Sequence, residues 1–141
     1  MKNILIISLL TIMSVSCCPK YELVFPTVII ELRDSTSGED LFVNGTYIID
    51  SVSITNSGPD EVNFQFTEEQ NSTLISLSPS QEQYIFSVGS QLIFDITIDK
   101  FIVEKRCYSS TKVSNVWTNT FKYEATGDES QTVWNLVVFV N

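Results

Sequence analysis

The stretch Gln91-Leu92-Ile93-Phe94-Asp95-Ile96-Thr97-Ile98-Asp99 puts Leu92, Phe94, Ile96 and Ile98 on one side and Asp95 and Asp99 on the other. Successive side chains of a strand point to opposite faces, so a period of two marks a half-buried β-strand. The same rule reads outward along the chain in both directions. Upstream, 27–33 sets Val28, Ile30 and Leu32 against Thr27, Ile29, Glu31 and Arg33. Residues 62–66 set Val62, Phe64 and Phe66 against Asn63 and Gln65, and 73–77 returns as the hairpin partner after a polar turn. Further expected strands are 41–43, ending on the tight-turn pair Asn44-Gly45, and 47–55, with Ile48, Val52 and Ile54 as inward candidates.

Downstream of the breaks at Ser57-Gly58-Pro59-Asp60 and Ser78-Pro79-Ser80, strands are expected at 82–88 and 91–99, joined near Gly89. Residues 101–108, with Glu104, Lys105 and Arg106, read as an exposed or edge strand. Residues 112–117 and 120–125 flank Thr118-Asn119 as a further hairpin, and 133–140 closes as the most apolar strand. These short segments with regular turn signals, which amount to about eight or nine full strands once the shortest and the adjoining ones are set aside, indicate an all-β fold: one β-sandwich of Ig-like or transthyretin-like type spanning 27–141. Nothing suggests a second domain.

The N-terminal end differs in kind. Lys2 precedes an uncharged, mostly apolar run over 4–15, shorter than the 20 or so residues a membrane-spanning helix needs. It has the form of a secretory signal. It ends on Ser14-Val15-Ser16-Cys17, which resembles the lipobox of bacterial lipoproteins; the resemblance implies that the small Ser16 suits the peptidase cleft and that Cys17 offers a thiol for diacylglycerol. The expected organisation is a signal peptide at 1–16, a lipidated tether at 17–26 and the sandwich after it. Ser14 stands where a larger aliphatic is usual, so Cys18 is the alternative acceptor. Cys107, the remaining cysteine, reads as a small buried free thiol before it reads as the partner of Cys18.

Removal of 1–16 takes away Lys2 and no acid, moving the net charge from −9 to −10. This argues against nucleic acid, whose binding rests on clustered Lys and Arg. The chain has no histidine, which removes the commonest general base and metal ligand together. No CxxC pair or Gly-rich phosphate loop is present. Asp95 and Asp99 share a strand face but lie about 13 Å apart along it, beyond the roughly 5–9.5 Å that glycosidases use. Glu39-Asp40 and Asp128-Glu129 are weak calcium candidates that read better as solvated turn residues. The expectation is a non-enzymatic domain with no catalytic residue, no metal and no cofactor. Among the aromatics Trp117, Tyr123 and Trp134, Trp134 reads as core, and Trp117, beside its turn, is the candidate ligand contact.

The layout resembles the small lipoproteins of unknown function found in Bacteroidota. The resemblance rests on Ser16-Cys17-Cys18-Pro19, on Gly38-Glu39-Asp40-Leu41-Phe42, on Asp50-Ser51-Val52-Ser53-Ile54, and on Cys107 followed by Val113-Ser114-Asn115-Val116-Trp117-Thr118-Asn119. Asp34-Ser35-Thr36 and Asp50-Ser51-Val52 also resemble the O-glycosylation acceptors of that phylum. The resemblance implies export, a lipid anchor in the outer membrane at its periplasmic or outer face, and an all-β domain meeting an unidentified protein or glycan. It implies no catalytic residue.

Overall fold

The computed structural model describes residues 24–128, 130 and 132–141 of the 141-residue chain. The expected leader, Cys17, Cys18, most of the tether, and Glu129 lie outside the described residues. Among the described residues nine strands follow in order: β1 (Thr27–Asp34), β2 (Val52–Asn56), β3 (Phe64–Glu69), β4 (Ser72–Leu77), β5 (Gln83–Val88), β6 (Leu92–Lys105), β7 (Tyr108–Trp117), β8 (Lys122–Thr126) and β9 (Val133–Val140). A five-stranded sheet runs β3-β4-β1-β9-β8 and a four-stranded sheet runs β2-β5-β6-β7. The chain is an all-β sandwich, as the alternation implies.

The alternating residues meet between the sheets. Val28, Ile30 and Leu32 of β1 are fully buried, facing Phe86 of β5 and Leu92, Phe94, Ile96 and Ile98 of β6 within one apolar cluster. Burying one such side chain contributes about 1.5–3 kcal/mol. The rings of Phe86 and Phe94 stack at 4.8 Å, and Phe121 meets Phe94 edge-on at 5.9 Å. Trp134 is buried in β9, as its apolar surroundings in the sequence imply. β1 occupies the middle of its sheet, antiparallel to β4 and parallel to β9 over its whole length.

Four expectations change. Residues 41–43 form no strand: Leu41 and Phe42 sit in a turn, both buried, and plug one end of the core. Over 47–55, a 3-10 turn at Ile49–Ser51 leaves only β2 as strand, and Ile48 is exposed rather than inward. The segments 91–99 and 101–108 belong largely to one 14-residue strand, β6, whose register with β7 shifts at Asp99/Lys100. Asp99 pairs with Asn115 but Lys100 pairs with Val113, so Ser114 is an extra residue. That bulge lets Val113 and Val116, three apart, both face the core. Finally, β7 and β8 do not pair: they lie in different sheets, and residues 118–121 carry the chain from one to the other.

Beyond the bulge, β6 and β7 continue as a two-stranded arm with no fully buried residue over 99–112 and with Ile102 exposed. Such a ribbon has little core of its own. At its tip Cys107 is disulfide-bonded and half-exposed, which overturns the expectation of a buried free thiol. Lys105 lies over the Tyr108 ring at 5.8 Å.

Candidate functional site

The outer face of the four-stranded sheet gathers the residues that alternation turns away from the core. Gln83, Thr97 and Trp117 are register neighbours across β5, β6 and β7, so they form one transverse row. The next row holds Thr55, Ile85 and Asp95, and the one after it Ser53, Ser87 and Ile93. Adjacent strands are about 4.8 Å apart, so Gln83 and Trp117 stand about 10 Å from one another along their row. Ile85 and Ile93 are more than half exposed, while Trp117 is half-buried. The face is therefore a shallow apolar platform edged by hydroxyls, an amide and a carboxylate.

The connection 118–121 contributes its own polar group. Thr118 is buried and its Oγ1 accepts the Thr120 N–H at 3.3 Å. This holds Thr120 where its hydroxyl donates to Asp95 Oδ1 at 2.7 Å. A cavity of about 240 Å³ opens beside β5, lined by Asn56, Ser57, Gln83, Ile85, Asp95 and Thr97 among others. A second cavity of about 260 Å³ adjoins it at Ser57 and Gln83 and includes Glu82 and Lys100. Lys100 donates to the Ser80 carbonyl at 2.8 Å. Partial burial holds its ammonium below the usual lysine range, an effect that the nearby Glu82 carboxylate opposes.

Of the sequence candidates, Trp117 lies on this face and Trp134 does not. Tyr123 pairs with Val138 on β8, in the other sheet, so the aromatics do not form one surface. Asp95 and Asp99 point outward without a shared partner: Asp95 is held by Thr120, and Asp99 is exposed. Among the described residues no three Asp, Glu, His or Cys side chains converge as metal ligands.

Asp40 corrects the expectation of a solvated turn. It is 3% exposed, and its Oδ1 accepts the N–H groups of Phe42 (2.9 Å) and Val43 (3.0 Å) while Oδ2 accepts that of Thr73 (2.8 Å). It pins the plug to β4, which is structural work rather than ion binding. Asp34, by contrast, sits in an exposed turn whose Thr36 and Ser37 N–H groups it accepts; these bonds hold its carboxyl below the usual range. Ser35 and Ser51, the acceptor-like serines, have their hydroxyls engaged by Asn141 Oδ1 and the Ile48 carbonyl respectively.

Gln83, Ile85, Ile93 and Thr120 were not singled out in the sequence. Their signal was present for three of them: they are the outward positions of two strands joined at Gly89, and registering that hairpin aligns them. Among the described residues no helix is long and apolar enough to cross a membrane. No protein-family model, curated protein or solved structure matches the chain.

Proposed function

We propose that this chain is a lipid-anchored lipoprotein of a bacterial cell envelope, and that its sandwich is a non-enzymatic interaction module. The carrying observation is the Ser14-Val15-Ser16-Cys17 junction placed ten residues before the first strand of a β-sandwich. That order leaves a short tether between the lipid and a domain able to hold its own core. Metabolic labelling of the expressed full chain with an alkyne fatty acid tests the anchor. Label is expected on wild type and lost when both Cys17 and Cys18 are replaced by Ala; an unlabelled wild type refutes it.

The second reading is a carbohydrate-binding accessory role for the same module. It is favoured by the row of Gln83, Thr97 and Trp117 beside Asp95, because an aromatic ring next to amide, hydroxyl and carboxylate groups suits the faces and edges of a sugar. With a net charge of −10 for the processed chain, a neutral glycan fits better than an anionic one. A glycan array probed with the mature chain in detergent, and with its Trp117→Ala variant, reads this directly. Binding that persists undiminished in the variant removes Trp117 from the site, and no binding by either protein leaves only the interaction-module reading.

A further inference from the structure

We infer that Cys18 is the disulfide partner of Cys107, and hence that Cys17 is the acylated residue and the tip of the β6–β7 arm is stapled beside the membrane. This rests on the lipoprotein reading above and resolves the choice of acceptor that the leader leaves open. Cys107 is disulfide-bonded, and the only other cysteines in the chain are Cys17 and Cys18.

The two modifications constrain one another. A lipoprotein is cut immediately before its acylated cysteine. If Cys18 were the acceptor, Cys17 would leave with the leader and the Cys18 sulfur would be a thioether, so Cys107 would have no thiol in the mature chain. If Cys17 is the acceptor, its sulfur forms an S–C bond to the glycerol of a phospholipid as the C–O bond to phosphate breaks. The thiol proton departs with the phosphate headgroup, water then hydrolyses the Ser16–Cys17 peptide bond, and Cys18 remains a thiol. Only this assignment accommodates both the lipid and the bond.

Geometry permits it. Phe25 and Pro26 share a cavity wall with Lys100 and Thr111, so the tether enters the fold alongside the base of the arm. Thr111 lies four residues from Cys107, about 13 Å along an extended strand. The seven residues back from Phe25 to Cys18 can span up to about 25 Å. The bond itself needs a disulfide-bearing oxidant of the envelope. One thiolate attacks that disulfide, and the second resolves the mixed disulfide; Cys18 and Cys107 give up two electrons and two protons, which leave on the oxidant as a dithiol.

A charge pattern agrees with this placement. In an acidic chain, Lys105 and Arg106 flank Cys107 at the arm tip, and Lys20 follows Cys18 by two residues. Stapling the tip to the lipid junction brings these cations to the surface of an anionic bilayer.

The test uses the full chain, exported and extracted in detergent, as wild type and as Cys17→Ser, Cys18→Ser and Cys107→Ser variants. Alkyne fatty acid reports the lipid, a maleimide polymer reports free thiols, and tryptic digestion without reduction reports the link. Wild type should carry label, resist the maleimide until reduced, and then take up two polymers. Its digest should contain the lipidated peptide 17–20 joined to peptide 107–112, a readout that needs no variant to fold. The Cys18→Ser and Cys107→Ser chains should keep the label and expose one thiol, while Cys17→Ser should lose the label. Label retained by Cys17→Ser and lost by Cys18→Ser overturns the inference but leaves the anchor standing, as does a labelled wild type that reacts with maleimide before reduction. Absence of label from wild type removes the anchor reading itself.

Discussion

Replacing Asp40 is the sharpest available perturbation of this fold, because one buried carboxylate satisfies three backbone donors. In Asp40→Ala, the N–H groups of Phe42 and Thr73 lose their acceptor in a buried setting, and that of Val43 loses its acceptor nearer solvent. Each buried donor left unsatisfied costs about 1–3 kcal/mol, and relief of the buried charge returns part of it, so a loss of about 3–4 kcal/mol is expected. Asp40→Asn keeps an oxygen for Phe42 and Val43 but turns an NH₂ toward the Thr73 N–H. It should cost about 1.5–3 kcal/mol, between wild type and Ala. Glu39→Ala, at an exposed neighbour, should change stability by less than about 0.5 kcal/mol. Urea unfolding of the oxidised chains, followed by tryptophan fluorescence, gives the order through midpoints at constant slope. Amide exchange locates the effect, since the Thr73 N–H should lose protection first. Asp40→Ala within about 0.5 kcal/mol of wild type, or Asn costing as much as Ala, would refute the three-bond accounting.

Three further outcomes follow from the packing and the charges. A Cβ on Gly127 would lie 2.5 Å from Trp134 Cδ2 and 2.8 Å from two more ring atoms, so Gly127→Ala should destabilise by about 1–3 kcal/mol; an unchanged melting temperature contradicts this. Phe94→Ala removes a ring packed on both Phe86 and Phe121 and should cost about 3–5 kcal/mol, whereas Ile93→Ala, one residue away on the open face, should cost little. Equal effects at 93 and 94 would mean the strand is reversed. Asp34 has a folded pKa below the 3.8 expected for a free carboxyl, so its contribution is present above that pH and is lost as pH falls through the lower, folded value. The wild-type advantage over Asp34→Asn should therefore shrink on acidification below pH 3.8, and a carbon-detected titration of Asp34 centred at or above 3.8 would contradict the turn geometry.

Alternation alone was enough to read β1, β5, β9 and the first half of β6, because each has one face in the core and the other in solvent. It failed where a single residue changes the phase. Ser114 shifts β7 by one, so Val113 and Val116 break the period that would have marked them as core. The Thr118-Asn119 pair looks like a hairpin turn in sequence, yet nothing local says that the chain crosses to the opposite sheet there. Asp40 defeats a local reading for a related reason: an acid in a turn is usually solvated, and its three donors include one from Thr73, 33 residues away. Of the candidate face, Trp117 was legible as an aromatic beside a turn, whereas Thr120 depends on that crossing connection. Cys107 is hard to read locally, because a bonded and a free thiol look alike in a strand-rich segment and its bond depends on a second cysteine far away in the chain.

The parallel pairing of β1 with β9 also sets an order of events. Thr27 is synthesised 106 residues before Val133, its register partner, which at about 5–20 residues per second is an interval of roughly 5–20 s. Through that interval the first strand can pair on one side with β4 but leaves its other edge open. Val28, Ile30 and Leu32 thus wait half-covered in a nascent chain, and closure of the larger sheet is a late, long-range event rather than a local one. A chain held unfolded until all of it has been made escapes this exposure, and a co-translational folder would need a chaperone on that edge.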